Sequence, residues 1–158
     1  MSSTLPKRLL RRLLHAPVYL YRVGFGRLFG RRFLLLTHVG RRTGLRRQTV
    51  LEVMEYRDDG PEIVVMSGFG AKSDWLQNIE TNPDVRIEIG SQNFVAAYRF
   101  LGEQEAMSVV AGYEQRNRLM LPIIRWVLSR LLGWQYRASE ADRRRLVRQL
   151  PLIAFRPR

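Results

Sequence analysis

Four arginines within seven residues lie in a short segment that contains two glycines. The segment reads Gly40-Arg41-Arg42-Thr43-Gly44-Leu45-Arg46-Arg47. The glycines allow a sharp bend and close backbone approach. Arg41, Arg42 and Arg47 can grip phosphate or carboxylate bidentately, and Thr43 adds a hydroxyl donor. Because four like charges this close repel one another, the segment predicts a binding site for an anion. A solvated hairpin tip that happens to be basic is the alternative interpretation.

Apolar runs on both sides of this basic turn predict the elements that position it. Phe33 to Leu36 is apolar and leads into residues 37–39. A second run begins at Gln48 and includes Val50 and Val53. The pattern therefore predicts a strand, a cationic turn and a second strand.

The charge of the chain is concentrated near its beginning. The 158 residues carry a net charge of +13, and residues 1–51 contain 12 Lys or Arg and no Asp or Glu. The remainder is close to neutral. This distribution favours an anionic cofactor, an anionic membrane surface or nucleic acid as the partner of the first third.

Several classes of site are excluded by composition. The chain has no cysteine and only two histidines, His15 and His38, which are far apart in sequence. Disulfide scaffolds, cysteine nucleophiles and metal sites built on several histidines are therefore excluded, and we expect no metal. No apolar run approaches the roughly 20 residues that a membrane-spanning helix needs.

Residues 1–32 are predicted to form a basic, helical N-terminal segment. Leucines and cations fall on opposite halves of a helical wheel over residues 5–14, LPKRLLRRLL. The leucines could dock on the domain's own core, or the helix could lie on an anionic membrane surface. A second short helix is expected over residues 18–29.

The rest of the chain, residues 33–158, predicts one α+β domain. Adjacent strands joined by short turns imply antiparallel pairing and favour a small barrel. The expected elements are strands over 62–67, 85–89, 93–101 and 151–155, and helices over 74–81, 103–119, 122–132 and 139–149.

Two motifs together resemble a known family. These are LLLTHVGRRTGLRRQTVLEV and VVMSGFGAKSDWLQNIETNPDVRIEIG, and the C-terminal part from YEQRNRLMLPIIRWVLSRLLGWQY to LPLIAFRPR also matches one branch. The chain resembles the deazaflavin-dependent nitroreductase family. The resemblance implies an antiparallel split β-barrel, similar to those that bind flavin mononucleotide (FMN), with N- and C-terminal helices packed around it.

The resemblance also implies a cofactor, coenzyme F420, with FMN as the alternative. F420 is a deazaflavin that carries a phosphate and an anionic oligoglutamate tail, which fits the charge of the turn. Trp75 could contact the cofactor or simply be a core residue, and Asn78 could brace the loop. The implied cofactor-binding residues are Gly40, Arg41, Arg42, Thr43, Gly44, Arg47, Thr49, Ser67, Gly68, Phe69, Gly70, Trp75 and Asn78.

The implied activity is transfer of hydride from the reduced deazaflavin to a flat, electron-poor acceptor such as a quinone, nitroaromatic or enone. Ser67, Tyr113, Tyr136 or water could supply the proton that follows. The alternatives are a non-catalytic protein that binds flavin, haem or lipid on the same fold, and a basic nucleic-acid-binding protein. We further expect a cytoplasmic protein, peripheral on the inner face of the membrane if residues 5–14 bind there, and a homodimer as in related split barrels.

Overall fold

Six antiparallel strands close into a barrel. A computed structural model describes residues 30–158 of the chain. The strands are β1 (Phe33–Val39), β2 (Arg46–Arg57), β3 (Glu62–Met66), β4 (Val85–Ile89), β5 (Gln92–Phe100) and β6 (Leu152–Pro157). Their order around the barrel is β1-β2-β3-β6-β5-β4, with β4 pairing back to β1. The predicted α+β fold with an antiparallel barrel is confirmed.

The strands alternate between the inside of the barrel and its outer surface. On β1, Leu34 and Leu36 point into the barrel core, and they lie opposite Leu51 and Thr49 of β2. On β6, Ile153 belongs to the same core, whereas Leu152 packs against the C-terminal helices. A strand covered on both faces has an uninterrupted apolar sequence, which explains the runs in β3 and β6.

A short helix closes one end of the barrel. This is α1 (Asp74–Thr81), and a single 3₁₀ turn, Gly70–Lys72, precedes it. Trp75, Leu76 and Ile79 of α1 are buried in the barrel core. The helix ends as predicted at Asn82-Pro83, since proline disfavours a helical conformation in the residue before it.

The C-terminal helices cover the outside of the barrel. They are α2 (Glu103–Arg116), α3 (Leu121–Leu132) and α4 (Glu140–Gln149). The helix expected over 103–119 ends earlier than predicted, at Arg116, and a 3₁₀ turn follows at Arg118–Met120. At the break, the side-chain amide of Asn117 donates to the carbonyl oxygen of Tyr113, which satisfies a terminal backbone acceptor. Gly133 ends α3 in a left-handed conformation, as its position predicts.

The expected N-terminal helices over 5–14 and 18–29 lie outside the described residues. None of the helices within residues 30–158 combines the length and the hydropathy that a membrane-spanning segment needs.

Candidate functional site

A large cavity lies between the β1–β2 turn, the loop before α1, and the helices α2 and α3. Its volume is about 1010 Å³. One part of the lining is cationic and comes from the turn, and another part is apolar and comes from β2, α2 and α3. The cationic and polar lining includes Arg42, Thr43, Arg47, Thr49, Lys72 and Asn78, and the apolar lining includes Met54, Met66, Val110, Ile124, Val127 and Leu131.

The turn between β1 and β2 depends on both of its glycines. Gly44 has φ +67°, a conformation that L-residues with side chains rarely adopt. A Cβ on Gly40 would lie 2.9 Å from the Thr43 hydroxyl oxygen, so a side chain there would displace it. The Thr43 oxygen accepts from the Leu45 amide at 3.3 Å, which leaves the hydroxyl hydrogen for another acceptor.

Arg41 differs from the other arginines of the turn because its guanidinium is held by α1. One terminal nitrogen (Nη2) is 3.1 Å from a carboxylate oxygen of Asp74, and the other (Nη1) donates to Asn78 Oδ1 at 2.9 Å. By contrast, Arg42 and Arg47 form no side-chain hydrogen bond or ion pair with any residue of 30–158. Arg42 and Arg47 are therefore the guanidinium groups of the cavity that are available to an anion.

The loop formed by residues 67–70 lies beside the cavity, but the hydroxyl of its serine, Ser67, does not face the cavity. Ser67 is fully buried and does not line the cavity. Its hydroxyl donates to the carbonyl oxygen of Gly70 at 2.7 Å and therefore accepts from Ser73 at 2.6 Å. Gly68 and Phe69 do line the cavity, and their backbone N–H groups donate to no described residue.

Two residues of α1 reach the cavity from the closed end of the barrel. Trp75 is buried in the barrel core, where its ring centroid lies 6.5 Å from that of Phe155. Trp75 also lines the cavity. Asn78 is 5 % exposed and links the basic turn to His38 of β1. The two interpretations of Trp75, core residue and cavity residue, are thus compatible.

His38 is a buried member of the site that sequence reasoning did not select. Its ring nitrogens lie 3.1 Å from Asn78 Nδ2 and 3.3 Å from the Thr49 hydroxyl oxygen. Burial and the neighbouring Arg47 charge lower the pKa of His38 to about 4, and Asp74 opposes this only in part. A lone histidine in an apolar strand carries no sequence signal that separates this role from core packing.

The two candidate tyrosines have different surroundings. Tyr113 lines the cavity, and its hydroxyl donates to Glu52 at 2.6 Å. Burial and the Glu52 carboxylate raise the pKa of Tyr113 well above its usual value. Tyr136 is 1 % exposed, lies outside the cavity lining and donates to Glu114. Burial and Glu114 likewise raise the pKa of Tyr136.

Most of the predicted residues meet at this one cavity. Gly44, Ser67, Gly70 and Tyr136 do not line it, although Gly44, Ser67 and Gly70 shape the loops that do. Sequence reasoning missed the apolar wall that α3 contributes. Within residues 30–158, no group of three or more His, Asp or Glu side chains could hold a metal ion. The predicted residues that line the cavity are Gly40, Arg41, Arg42, Thr43, Arg47, Thr49, Gly68, Phe69, Trp75, Asn78 and Tyr113.

Comparison with known proteins agrees with this geometry. The sequence model of the F420H(2)-dependent quinone reductase family matches residues 14–117, about two thirds of the chain. The chain belongs to this family. Membership in the quinone reductase family confirms the resemblance to deazaflavin-dependent proteins and indicates an oxidoreductase that uses coenzyme F420. The matched segment includes the basic turn and α1, whereas α3, which covers the cavity, follows it.

Two solved structures of low sequence identity share the fold, and a third is reported for its similarity alone. HutZ, a haem storage protein from Vibrio cholerae, has 15 % identity and a TM-score of 0.51, with 87 % of this chain and 89 % of that chain covered. A pyridoxamine 5′-phosphate oxidase-like protein from Listeria innocua has 12 % identity and a TM-score of 0.51, with 87 % and 91 % covered. An F420-H2-dependent reductase, FDR-A, has 17 % identity and a TM-score of 0.48, with 80 % and 95 % covered. A comparison with curated proteins found no match.

Proposed function

We propose that the protein transfers hydride from reduced coenzyme F420 to a flat, electron-poor acceptor, a quinone, nitroaromatic or enone. The observation that carries this proposal is the cavity of about 1010 Å³, whose lining is cationic where the basic turn contributes and apolar where β2, α2 and α3 contribute. A deazaflavin has two matching parts, because an anionic phosphate and tail are joined to a flat ring system. The match to the quinone reductase family supports a quinone as the first acceptor to examine.

The phosphate and tail would be held by the basic turn. Arg42 and Arg47 offer guanidinium groups with no side-chain partner among residues 30–158, and Lys72, from the 3₁₀ turn before α1, adds an ammonium to the cavity lining. The Thr43 hydroxyl, which accepts from Leu45, can donate to a phosphate oxygen. Hydrogen bonds between charged groups are stronger than neutral ones, so this set favours a polyanion over a neutral ligand.

The ring would lie deeper, between the loop at Gly68 and the apolar wall. The free N–H groups of Gly68 and Phe69 suit ring carbonyl oxygens, and Trp75 supplies an aromatic surface. Met54, Met66 and the inner side of α3 remove water from the same space. A dry, preorganised cavity strengthens these few polar contacts.

The bound deazaflavin would supply the hydride, and the protein would orient it, exclude water and hold a proton nearby. Of the three side chains considered for the proton, only Tyr113 lines the cavity. Its raised pKa keeps the hydroxyl proton in place at neutral pH. To supply that proton, the hydroxyl would turn from Glu52 towards the cavity ligand. We therefore favour Tyr113 or water over Ser67 and Tyr136.

Titration of cofactor fluorescence tests the proposal. Wild type and an Arg42→Ala/Arg47→Ala variant would be titrated with F420 and, separately, with FMN. Losing two charged contacts predicts a loss in affinity of at least about 100-fold. Arg46→Ala is the matched control, because Arg46 is in the same turn but does not line the cavity.

Each outcome of the titration has a meaning. Binding of F420 alone, lost in the double variant and kept in the control, supports the cofactor and its site. Binding of neither cofactor refutes the proposal. Tight binding of F420 without reduction of any quinone, nitroaromatic or enone would favour the non-catalytic alternative.

We also propose that residues 33–158 form the deazaflavin-binding domain, with residues 1–32 as a basic segment that contacts an anionic membrane surface. The exposed side of the 3₁₀ turn and α3 supports a membrane contact, since Leu119, Ile123 and Trp126 are 96, 55 and 46 % exposed. Residues 115–139 contain five arginines and no acidic residue. Binding to such a surface gives a lipid-soluble quinone a short route to the cavity.

Co-sedimentation with vesicles of anionic and of neutral lipids tests the membrane contact. We expect binding to anionic vesicles that salt weakens and that Ile123→Ser/Trp126→Ser or deletion of residues 1–14 reduces. Unchanged sedimentation after both changes would refute it. A homodimer through this same face is the competing proposal, and sedimentation velocity without lipid would detect it.

A further inference from the structure

A chain of three hydrogen bonds connects the basic turn to a hydroxyl in the cavity, and its middle bond is buried while the outer two are partly buried. Arg41 donates to Asn78, Asn78 contacts His38, and His38 contacts Thr49. His38 and Asn78 are 3 % and 5 % exposed, so the middle of the chain is shielded from water. Which group donates and which accepts in each bond follows from Arg41, because its N–H groups can only donate.

The Arg41 end fixes the orientation of the Asn78 amide. The backbone N–H of Arg41 and its guanidinium Nη1 both donate to Asn78 Oδ1, at 3.0 and 2.9 Å. Neither group can accept a hydrogen bond. The opposite orientation of the amide would place its NH₂ group against two donors, so the NH₂ group of Asn78 must face His38.

The Asn78 amide in turn fixes the proton on His38. Asn78 Nδ2 is a donor and lies 3.1 Å from His38 Nδ1, which must therefore accept and carry no proton. The single proton of the neutral ring is then on Nε2, 3.3 Å from the Thr49 hydroxyl oxygen. The low pKa of His38 is consistent with a ring that stays neutral at physiological pH.

The Thr49 hydroxyl consequently accepts from His38 and has its own hydrogen left to donate. No residue of 30–158 accepts that hydrogen, and Thr49 lines the cavity. We propose that His38 and Asn78 are positioning residues that hold the Thr49 hydroxyl as a hydrogen-bond donor to the cavity ligand. The site at Thr49 therefore favours a ligand atom that can accept a hydrogen bond, such as a carbonyl or a phosphate oxygen.

For the ligand, this inference relies on the proposed deazaflavin site, where Thr49 is already implied to bind the cofactor. It adds the direction of the Thr49 hydrogen bond and the two residues that set this direction. It distinguishes Thr49 from the basic turn, which recognises charge, because one hydroxyl recognises a single acceptor atom. Two parts of the cofactor could provide that atom, the ring system or the phosphate. The two are separated by comparing F420 with its phosphate-free deazaflavin core.

Binding measurements test the donor role of Thr49. Thr49→Val should weaken F420 binding by about 3- to 10-fold, the usual effect of losing one net hydrogen bond, while Thr49→Ser keeps the donor and the affinity. Equal weakening for the phosphate-free core places the acceptor on the ring, and weakening for F420 alone places it on the phosphate. Unchanged affinity of the Thr49→Val protein would overturn the proposal.

The role of His38 has a readout that needs no ligand. Only two imidazole rings occur in the chain, so a His15→Gln protein labelled with ¹⁵N-histidine reports His38 alone. We expect the Nε2–H tautomer in two-dimensional ¹H–¹⁵N spectra, and an Nδ1–H tautomer would overturn the relay. If wild type bound neither F420 nor FMN, the proposed function would fail, whereas the spectrum would still decide the relay.

Substitution of His38 completes the test. His38→Phe removes the donor to Thr49 and should weaken F420 binding as much as Thr49→Val does. His38→Gln can offer an amide donor and an acceptor in its place and should recover part of the affinity. Equal affinity in wild type and His38→Phe would show that Thr49 needs no positioning, and would overturn this part of the proposal.

Discussion

Because His38 is buried and neutral, the stability of the fold should depend on pH between about pH 6.5 and pH 4. In the folded state its pKa is lowered from 6.5 to about 4, because burial and Arg47 disfavour the charged ring. In the unfolded chain the ring regains its ordinary pKa. Between pH 6.5 and pH 4 the unfolded chain therefore binds one more proton than the folded chain, and the free energy of unfolding falls as the pH falls.

The size of the effect follows from the shift. At about 1.4 kcal/mol per pKa unit, a shift of this size corresponds to about 3.5 kcal/mol in full, of which about 2.5 kcal/mol is lost by pH 4.5. Such a loss is a large part of the 5–15 kcal/mol of stability typical of small domains. Asp74 lies near enough to favour the charged ring, so removing its carboxylate should lower the pKa of His38 further.

Carboxylates titrate at lower pH than His38, so their contribution to stability can be separated from that of His38. Glu105 is paired with Arg99 and Arg57, which lower its pKa to about 2, and Arg99 also lowers the pKa of Glu62. The stability they contribute is present above pH 4.5 and is lost as the pH falls further. The range from pH 7.5 to pH 4.5 therefore reports mainly on histidine.

Urea unfolding of wild type and His38→Gln over this range measures the effect. The difference in free energy of unfolding between the two proteins should shrink by about 2.5 kcal/mol from pH 7.5 to pH 4.5, because the glutamine does not titrate. His15→Gln serves as the control for the other histidine. A difference that stays constant with pH would refute the assignment of His38 as a buried, neutral ring.

Three further outcomes are expected. Leu36→Ala, at a fully buried barrel position, should lower the free energy of unfolding in urea by about 2–5 kcal/mol; a change under 1 kcal/mol would contradict the burial of this side chain. Gly44→Ala should destabilise the turn by about 1 kcal/mol, because φ is +67° there, whereas Gly102→Ala, at the N-cap of α2 with φ −68°, is a control in which any loss comes from the helix cap and not from backbone strain. Tyr113→Phe should lower kcat for quinone reduction by at least about 10-fold if the hydroxyl supplies the proton, and an unchanged kcat in steady-state assays would assign the proton to water.

The strands and short helices are features that the sequence predicts well. The alternation Val85, Ile87, Ile89 against Arg86 and Glu88 predicts a half-buried strand, and β4 has that burial pattern. The helix Asp74–Thr81 and the end of α3 at Gly133 follow from proline and glycine positions. These signals are local, because each depends on neighbours within a few residues.

The contribution of α3 to the cavity could not be predicted in the same way. Its apolar positions indicate a buried side, but they do not say what that side covers. In the structure Ile124, Val127 and Leu131 face the cavity instead of filling the barrel. Which helix covers which opening is decided by packing between segments that are far apart in sequence. The same reason hides the role of His38, whose partners Asn78 and Thr49 lie on two other elements.

The structure shows how four arginines are accommodated in one short turn. Four like charges in one turn should repel, and the structure separates them by giving Arg41 partners 33 and 37 residues away. Its charge is balanced by Asp74, and its donors are used to orient Asn78. Arg42 and Arg47 then remain at the cavity as like charges with no side-chain partner among the described residues. An anion bound between them would relieve that repulsion, so the turn should be more stable with a polyanion bound than without one.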